Sequence, residues 1–174
     1  MTIYTVGHSN HPLEVFLELL QVHGIELVVD VRTVPKSRHN PQFNSEGIAA
    51  SLARIGIAYQ HLPDLGGLRH PRKDSTNLGW ENESFRGFAD YMQTEGFEKG
   101  LQELQGLAEG RKTTVMCAEA VPWRCHRSLI SDALLARGVL VMHIMSRTSV
   151  KQHSLTPFAE VKGTTVTYPG NRLF

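Results

Sequence analysis

The alternation of strand-like and helix-like segments predicts a single three-layer α/β domain, with a mostly parallel central sheet of about five strands and helices on both faces. Three observations carry this. Short apolar or β-branched runs recur at Thr2–Val6, Leu27–Val31, Ile57–His61, Thr113–Cys117 and Val139–Ile144. Apolar residues at helical spacing fill most of the intervals between them. Gly24, Gly56 and Gly138 stand where such helices would stop, each just before a strand.

Taken in order, Thr2–Val6 ends at Gly7-His8-Ser9-Asn10. Leu13, Phe16, Leu17 and Leu20 then give the i, i+3, i+4, i+7 face of a helix over Pro12–His23, with Ser9 or Asn10 as its cap. Leu27-Val28-Val29-Asp30-Val31 reads as a buried parallel strand because it is apolar on both faces. Ser45–Arg54 is a second helix and Ile57–His61 a third strand. Pro63–Asn82 shows no periodicity and holds Gly66-Gly67, the composition of a long functional loop. Phe85–Met92 and Phe97–Leu107 read as helices broken at Gly96. Thr113–Cys117 is the fourth strand, followed by a helix on Leu129, Ile130, Ala133, Leu134 and Leu135, and then by the fifth strand. The chemistry-bearing segments fall within residues 2–146. The tail, 147–174, carries only a short strand signal at Thr164–Tyr168.

The 174 residues are enough for one core. Eighteen basic and seventeen acidic residues leave a net charge of +1, so attraction to nucleic acid has no global basis and must come from a local patch. No apolar run approaches the roughly 20 residues of a membrane span. The chain opens directly on a strand, and its two cysteines stand eight apart. We therefore expect no leader, reduced thiols and a cytoplasmic protein.

In parallel sheets, ligands bind beyond the carboxyl ends of the strands. Those ends carry His8-Ser9-Asn10, Asp30-Val31-Arg32, His61 and Cys117-Ala118-Glu119. Basic residues gather in the same connections: Arg32, Lys36 and Arg38 after the second strand, then Arg124, His126 and Arg127 ahead of the last helix. Arginine forks and a helix N-terminus suit a phosphate or another oxyanion. Cys117 and Cys125 read either as small buried hydrophobes or as a nucleophile and its resolving partner. Glu119 and His8 are candidates for proton transfer, while Asp30 and Arg32 are equally readable as an ion pair. Six residues separate Cys117 from Arg124, one more than in cysteine phosphatase loops, and Glu119, Pro122 and Trp123 replace the glycines of such loops. The Cys117, Cys125, His126, His61 set matches no common zinc spacing, so no metal is assigned.

Four ordered motifs carry a resemblance. They are Thr5-Val6-Gly7-His8-Ser9-Asn10; Val29-Asp30-Val31-Arg32 with Pro35 and Ser37-Arg38; His61-Leu62-Pro63 with Leu65-Gly66-Gly67; and Met116-Cys117-Ala118-Glu119 with Cys125-His126-Arg127. From Thr2 to Ile144 the chain resembles the prokaryotic family called domain of unknown function 488. The resemblance implies a compact α/β fold with a site built from these motifs, and it brings no activity or cofactor. Val29-Asp30-Val31-Arg32 is also similar to the Asp-x-Arg of rhodanese domains, at the level of fold only.

Two functions follow as expectations. The first is an enzyme, a hydrolase or transferase, acting on a small or nucleotide-like anionic substrate. In it Cys117, Glu119, His8, His126 and Asp30 are the catalytic candidates. Ser9, Asn10, Arg32, Arg38, His61, Arg124, Cys125 and Arg127 are the binding candidates. The alternative is a non-enzymatic nucleotide- or nucleic-acid-binding module that stacks bases on Trp80, Trp123 or Tyr59.

Overall fold

A computed structural model describes residues 1–170. Five parallel strands, β1 (Thr2–Gly7), β2 (Leu27–Asp30), β3 (Ala58–His61), β4 (Thr113–Cys117) and β5 (Leu140–Ile144), stand in the order β3-β2-β4-β1-β5. A sixth, β6 (Val150–Gln152), pairs antiparallel with β5 at the edge. The fold is α/β with a mostly parallel sheet, as expected, and one strand wider.

Helices α1 (Leu13–Val22) and α2 (Ser45–Arg54) cover one face. Their Phe16, Leu19, Leu20, Ile48 and Leu52 pack on Val6, Val28 and Met116. Helices α3 (Glu83–Tyr91), α4 (Glu95–Ala108) and α5 (Arg127–Ala136) cover the other face. There Phe88, Phe97, Leu101, Leu104, Leu129 and Ile130 pack on Ile3, Val29, Val115 and Val141. Strand residues therefore alternate between two apolar layers, which is why β2 and β4 are buried along their whole length.

The break between α3 and α4 falls at Met92–Thr94 rather than at Gly96. The Thr94 side chain accepts the Phe97 N–H and starts α4, so Gly96 lies within its first turn. The tail strand signal forms a separate hairpin of β7 (Glu160–Lys162) and β8 (Thr165–Thr167), turned at Gly163 with φ +62°. Residues 171–174 of the tail lie outside the described residues.

This topology positions a site. The connections leaving β1 and β2 run to one face through α1 and α2, whereas the connection leaving β4 runs to the other through α5. The carboxyl end of β4 thus lies in the crevice where the winding reverses, which is where ligands bind in open α/β sheets. The three strand ends are level. Gly7 pairs with Cys117 and Asp30 with Met116. Beyond them the ladders continue, with His8 N–H donating to Cys117 O (2.9 Å), Ser9 N–H to Ala118 O (2.9 Å) and Val31 N–H to Met116 O (3.0 Å).

Candidate functional site

At this rim lies an open cavity of about 290 Å³. Among its lining residues are Arg32, Thr33, Gly67, Cys117, Glu119, Arg124, Cys125 and His126. Six sequence-predicted site residues therefore share one wall.

Arg32 is locked in place. Its Nε and Nη2 donate to the two carboxylate oxygens of Asp30 at 2.9 and 2.7 Å, and Nη2 also donates to the Phe43 carbonyl at 2.8 Å. Tyr59 adds its hydroxyl to Asp30 Oδ2 at 2.5 Å. Asp30 is fully buried, so this ion pair avoids a large desolvation penalty only because each group has so many partners. The Asp30–Arg32 pair thus has the ion-pair geometry that the sequence allowed. His61 donates from Nε2 to the Arg32 carbonyl at 2.7 Å, fixing the same turn from β3.

His8 is buried and stacked on Phe43, with ring centroids 4.4 Å apart. Its Nδ1 donates to Ser9 O at 2.8 Å, which leaves Nε2 to accept from Arg32 Nη1 at 3.4 Å. Burial, followed by the Arg32 charge, holds its pKa below 6.5, so His8 is a neutral acceptor at neutral pH. Ser9 has φ +49°, the sole positive φ of a non-glycine residue among the described residues, and this turns the chain sharply out of the rim.

The second half of the site comes from the turn ahead of α5. His126 places Nε2 3.0 Å from two carbonyls, Val31 O and Leu65 O, so Nε2 carries the proton and Nδ1 is the free base. Nδ1 faces Cys125 Sγ at 3.4 Å. Gly67 makes room for this ring, since a Cβ there would lie 2.4 Å from Nδ1. Burial pushes the His126 pKa down to about 4, against the pull of its two carbonyl partners. Cys117 is 2% exposed. Burial raises a thiol pKa, but at Cys117 this is outweighed by the neighbouring Cys125 thiol, the Arg127 charge and the Glu119 backbone. Its pKa is held below the ordinary 9.0. Cys125 is pushed the other way, by burial and by Cys117.

Arg127 is 1% exposed, and it has no carboxylate partner among the described residues. Nη2 donates to Ala120 O at 3.0 Å, while Nε and Nη1 have no protein partner. Glu119 touches the site through its carbonyl, 3.6 Å from Cys117 Sγ, and is an exposed residue of the cavity lining. Arg124 is exposed on the same wall. His8, Ser9, Asn10, Asp30, Arg38, His61 and Arg127 lie outside the cavity lining. Asn10 and Arg38 are exposed, and Ser9 and His61 half-buried. Among the described residues no group of three or more His, Cys, Asp or Glu could hold a metal ion.

A second polar network runs through the far side of the sheet. Thr5 Oγ1 lies 2.5 Å from His143 Nδ1, and His143 Nε2 lies 2.8 Å from His153 Nδ1. His153 Nε2 donates to Asp132 Oδ1 at 2.8 Å, and Tyr168 donates to Oδ2 at 2.7 Å. Both ring nitrogens of His143 are thereby occupied within the protein. His153, Asp132 and Tyr168 carry no sequence signal, because their partners come from three distant elements. Burial and then the His153 charge push the His143 pKa down to about 3.

His126 and His143 are thus neutral in the fold and protonate at 6.5 once unfolded. Above pH 6.5 neither adds pH dependence. Below it the unfolded chain gains protons that the fold refuses, and stability falls continuously toward pH 4 for His126 and 3 for His143. At about 1.4 kcal/mol per pH unit, moving to pH 5 costs up to about 2 kcal/mol from each of them. Denaturant unfolding at pH 7 and pH 5 checks this, and equal midpoints would refute it.

The family model for domain of unknown function DUF488 matches residues 12–134. The chain belongs to this family. The match starts after the Thr5–Asn10 motif and includes the other three, Val29–Arg38, His61–Gly67 and Met116–Arg127. No curated protein and no solved structure matches the chain, so nothing supports the likeness to rhodanese domains. Among the described residues no helix is long and apolar enough to cross a membrane.

Proposed function

We propose that this DUF488 chain is an enzyme acting on a small anionic substrate, phosphate-bearing or nucleotide-like, in the rim cavity, with Cys117 as its nucleophile. The observation that carries the reading is Arg127. A buried guanidinium with two unpartnered groups is costly unless an anion balances it. The Cys117 thiolate supplies that anion, and the charge in turn holds the thiol pKa below its ordinary value. Arg124, exposed on the cavity wall, is the cation placed to hold the substrate's own charge. Glu119 in the cavity lining moves the proton, while Asp30, His8 and His61 hold Arg32 and the strand ends in register. A thiolate nucleophile fits group transfer or hydrolysis through a covalent intermediate.

Ultraviolet thiolate absorbance followed across pH tests this directly. One thiol is expected to ionise below pH 9, and Cys117→Ser removes that step. Arg127→Met is expected to move the ionisation upward, because the thiolate loses the cation that favours it. No ionisation below that of a model thiol would overturn the nucleophile.

One observation favours the second reading, a nucleotide- or nucleic-acid-binding module. Trp123 is 56% exposed next to Arg124, and the Lys151 ammonium lies 5.6 Å from its ring. Of the other stacking candidates, Trp80 packs among Phe85, Phe158 and Tyr168, and Tyr59 is tied to Asp30. Oligonucleotide binding that weakens with salt and with Trp123→Ala would favour this module. No binding at low salt would remove it.

A further inference from the structure

Cys125 and His126 have no role in a single-nucleophile reaction, yet they are the best-aligned pair in the cavity wall. His126 cannot turn, because its Nε2–H is shared between the Val31 and Leu65 carbonyls. Gly67 and Phe88 pack against the ring. Its lone pair on Nδ1 therefore points permanently at Cys125 Sγ, 3.4 Å away. Cys125 lines the cavity together with Cys117, and each thiol shifts the ionisation of the other. Both cysteines are free, and both line the same open cavity. Two adjacent thiols, one beside a buried cation and the other beside a fixed base, make an attacking and a resolving thiol.

We infer that Cys117 and Cys125 form a redox-active dithiol that exchanges with small anionic disulfides. The inference rests on the proposed nucleophile and anionic substrate, and it names the substrate class. The Cys117 thiolate attacks one sulfur of the substrate disulfide. The substrate S–S bond breaks, a Cys117–S–R bond forms, and the first thiolate leaves to take a proton from solvent. The Cys125 thiol then passes its proton to His126 Nδ1 and attacks Cys117 Sγ. The Cys117–S–R bond breaks, the second thiolate leaves with the proton, and a Cys117–Cys125 disulfide remains. The substrate disulfide is reduced to two thiols as the protein dithiol is oxidised, so both sulfur and electrons balance. A small external dithiol reduces the Cys117–Cys125 disulfide back to two thiols and is itself oxidised to a disulfide.

The opposed influences on the two thiols agree with this division of roles: Cys117 is the more readily ionised, and Cys125 the less. The weak basicity of His126 suits a group that accepts the proton only transiently and hands it to the departing thiolate.

The test uses glutathione disulfide, which is anionic, and hydroxyethyl disulfide, which is neutral, each with the reduced full-length chain and read by intact mass and thiol count. With glutathione disulfide the wild type is expected to lose both free thiols without retaining a glutathionyl group, and dithiothreitol restores them. Cys125→Ser is expected to stop at one glutathionyl adduct on Cys117, and Cys117→Ser to form neither product. A wild type that keeps a stable adduct on Cys117 would overturn the dithiol while leaving the nucleophile intact. No reaction at either cysteine would overturn the dithiol too, and the thiolate titration then judges the nucleophile separately. Equal rates with the neutral disulfide would keep the dithiol and remove the anionic preference.

Discussion

Asp30→Asn is expected to cost about 3–5 kcal/mol, the usual price of leaving one partner of a buried ion pair uncompensated. Asp30 is fully buried and Arg32 is 6% exposed, so water cannot replace the lost charge. The carboxylate also accepts from the Arg32 backbone N–H and from Tyr59, and an amide can serve only part of that set. Against a typical total of about 5–15 kcal/mol, such a loss is a large fraction of the whole. At about 2–4 °C per kcal/mol for a chain of this size, the melting temperature should fall by roughly 6–20 °C. The double variant Asp30→Asn/Arg32→Met should recover part of it, because the orphaned guanidinium is removed as well. A loss below about 1 kcal/mol in calorimetry or denaturant unfolding would mean that the pair behaves as a solvated surface bridge instead.

Gly7→Ala is expected to be comparably severe, for a steric reason. A Cβ at Gly7 would stand 1.6 Å from the Glu119 carbonyl oxygen and 3.0 Å from Arg127 Nη1. The first contact is with backbone, so it is not relieved by a rotamer change. Either β1 leaves its ladder with Cys117 or the 117–120 turn moves away from the rim. Overpacking of this kind costs about 3 kcal/mol or more. The same displacement carries Arg127 away from Cys117, so the thiolate titration should move upward together with the loss of stability. A folded, equally stable Gly7→Ala protein would show that the turn after β4 is compliant, and an unchanged thiol ionisation in it would separate Arg127 from Cys117.

Most of the fold was legible in local pattern. The buried strands β2 and β4 announce themselves as continuous apolar runs, and the spacing picked out Phe16 and Leu20 on the inward face of α1, whereas Leu13 and Leu17 are half-buried and the buried Leu19 lay outside that pattern. The α3–α4 boundary was misread because Gly96 looked like a stop, whereas the Thr94 hydroxyl supplies the cap that decides where α4 starts. β6 is short and exposed apart from its first residue, so it carries no apolar alternation to recognise. At the site, sequence order placed His8, Asp30, Arg32, His61 and Cys117 at strand ends, and the level registers of β1, β4 and β2 bring the ends together. The partners were not legible. That Arg32 is held by Asp30, Phe43 and His8, whereas Arg127 has two groups without a protein partner, depends on contacts between segments far apart in the chain.

The sequence by itself determined the parallel α/β architecture and the rim on which the polar motifs gather, because these follow from periodicity and strand order, and its four ordered motifs carried the resemblance to the family. The tertiary structure alone decided which groups at that rim are locked and which are left with reactive character. Thiol ionisation, histidine tautomer and the balance of a buried charge are set by burial and by neighbours a few ångströms away. Those neighbours come from β1, β2, the Leu65–Gly67 turn and α5, and they meet only once the sheet has formed.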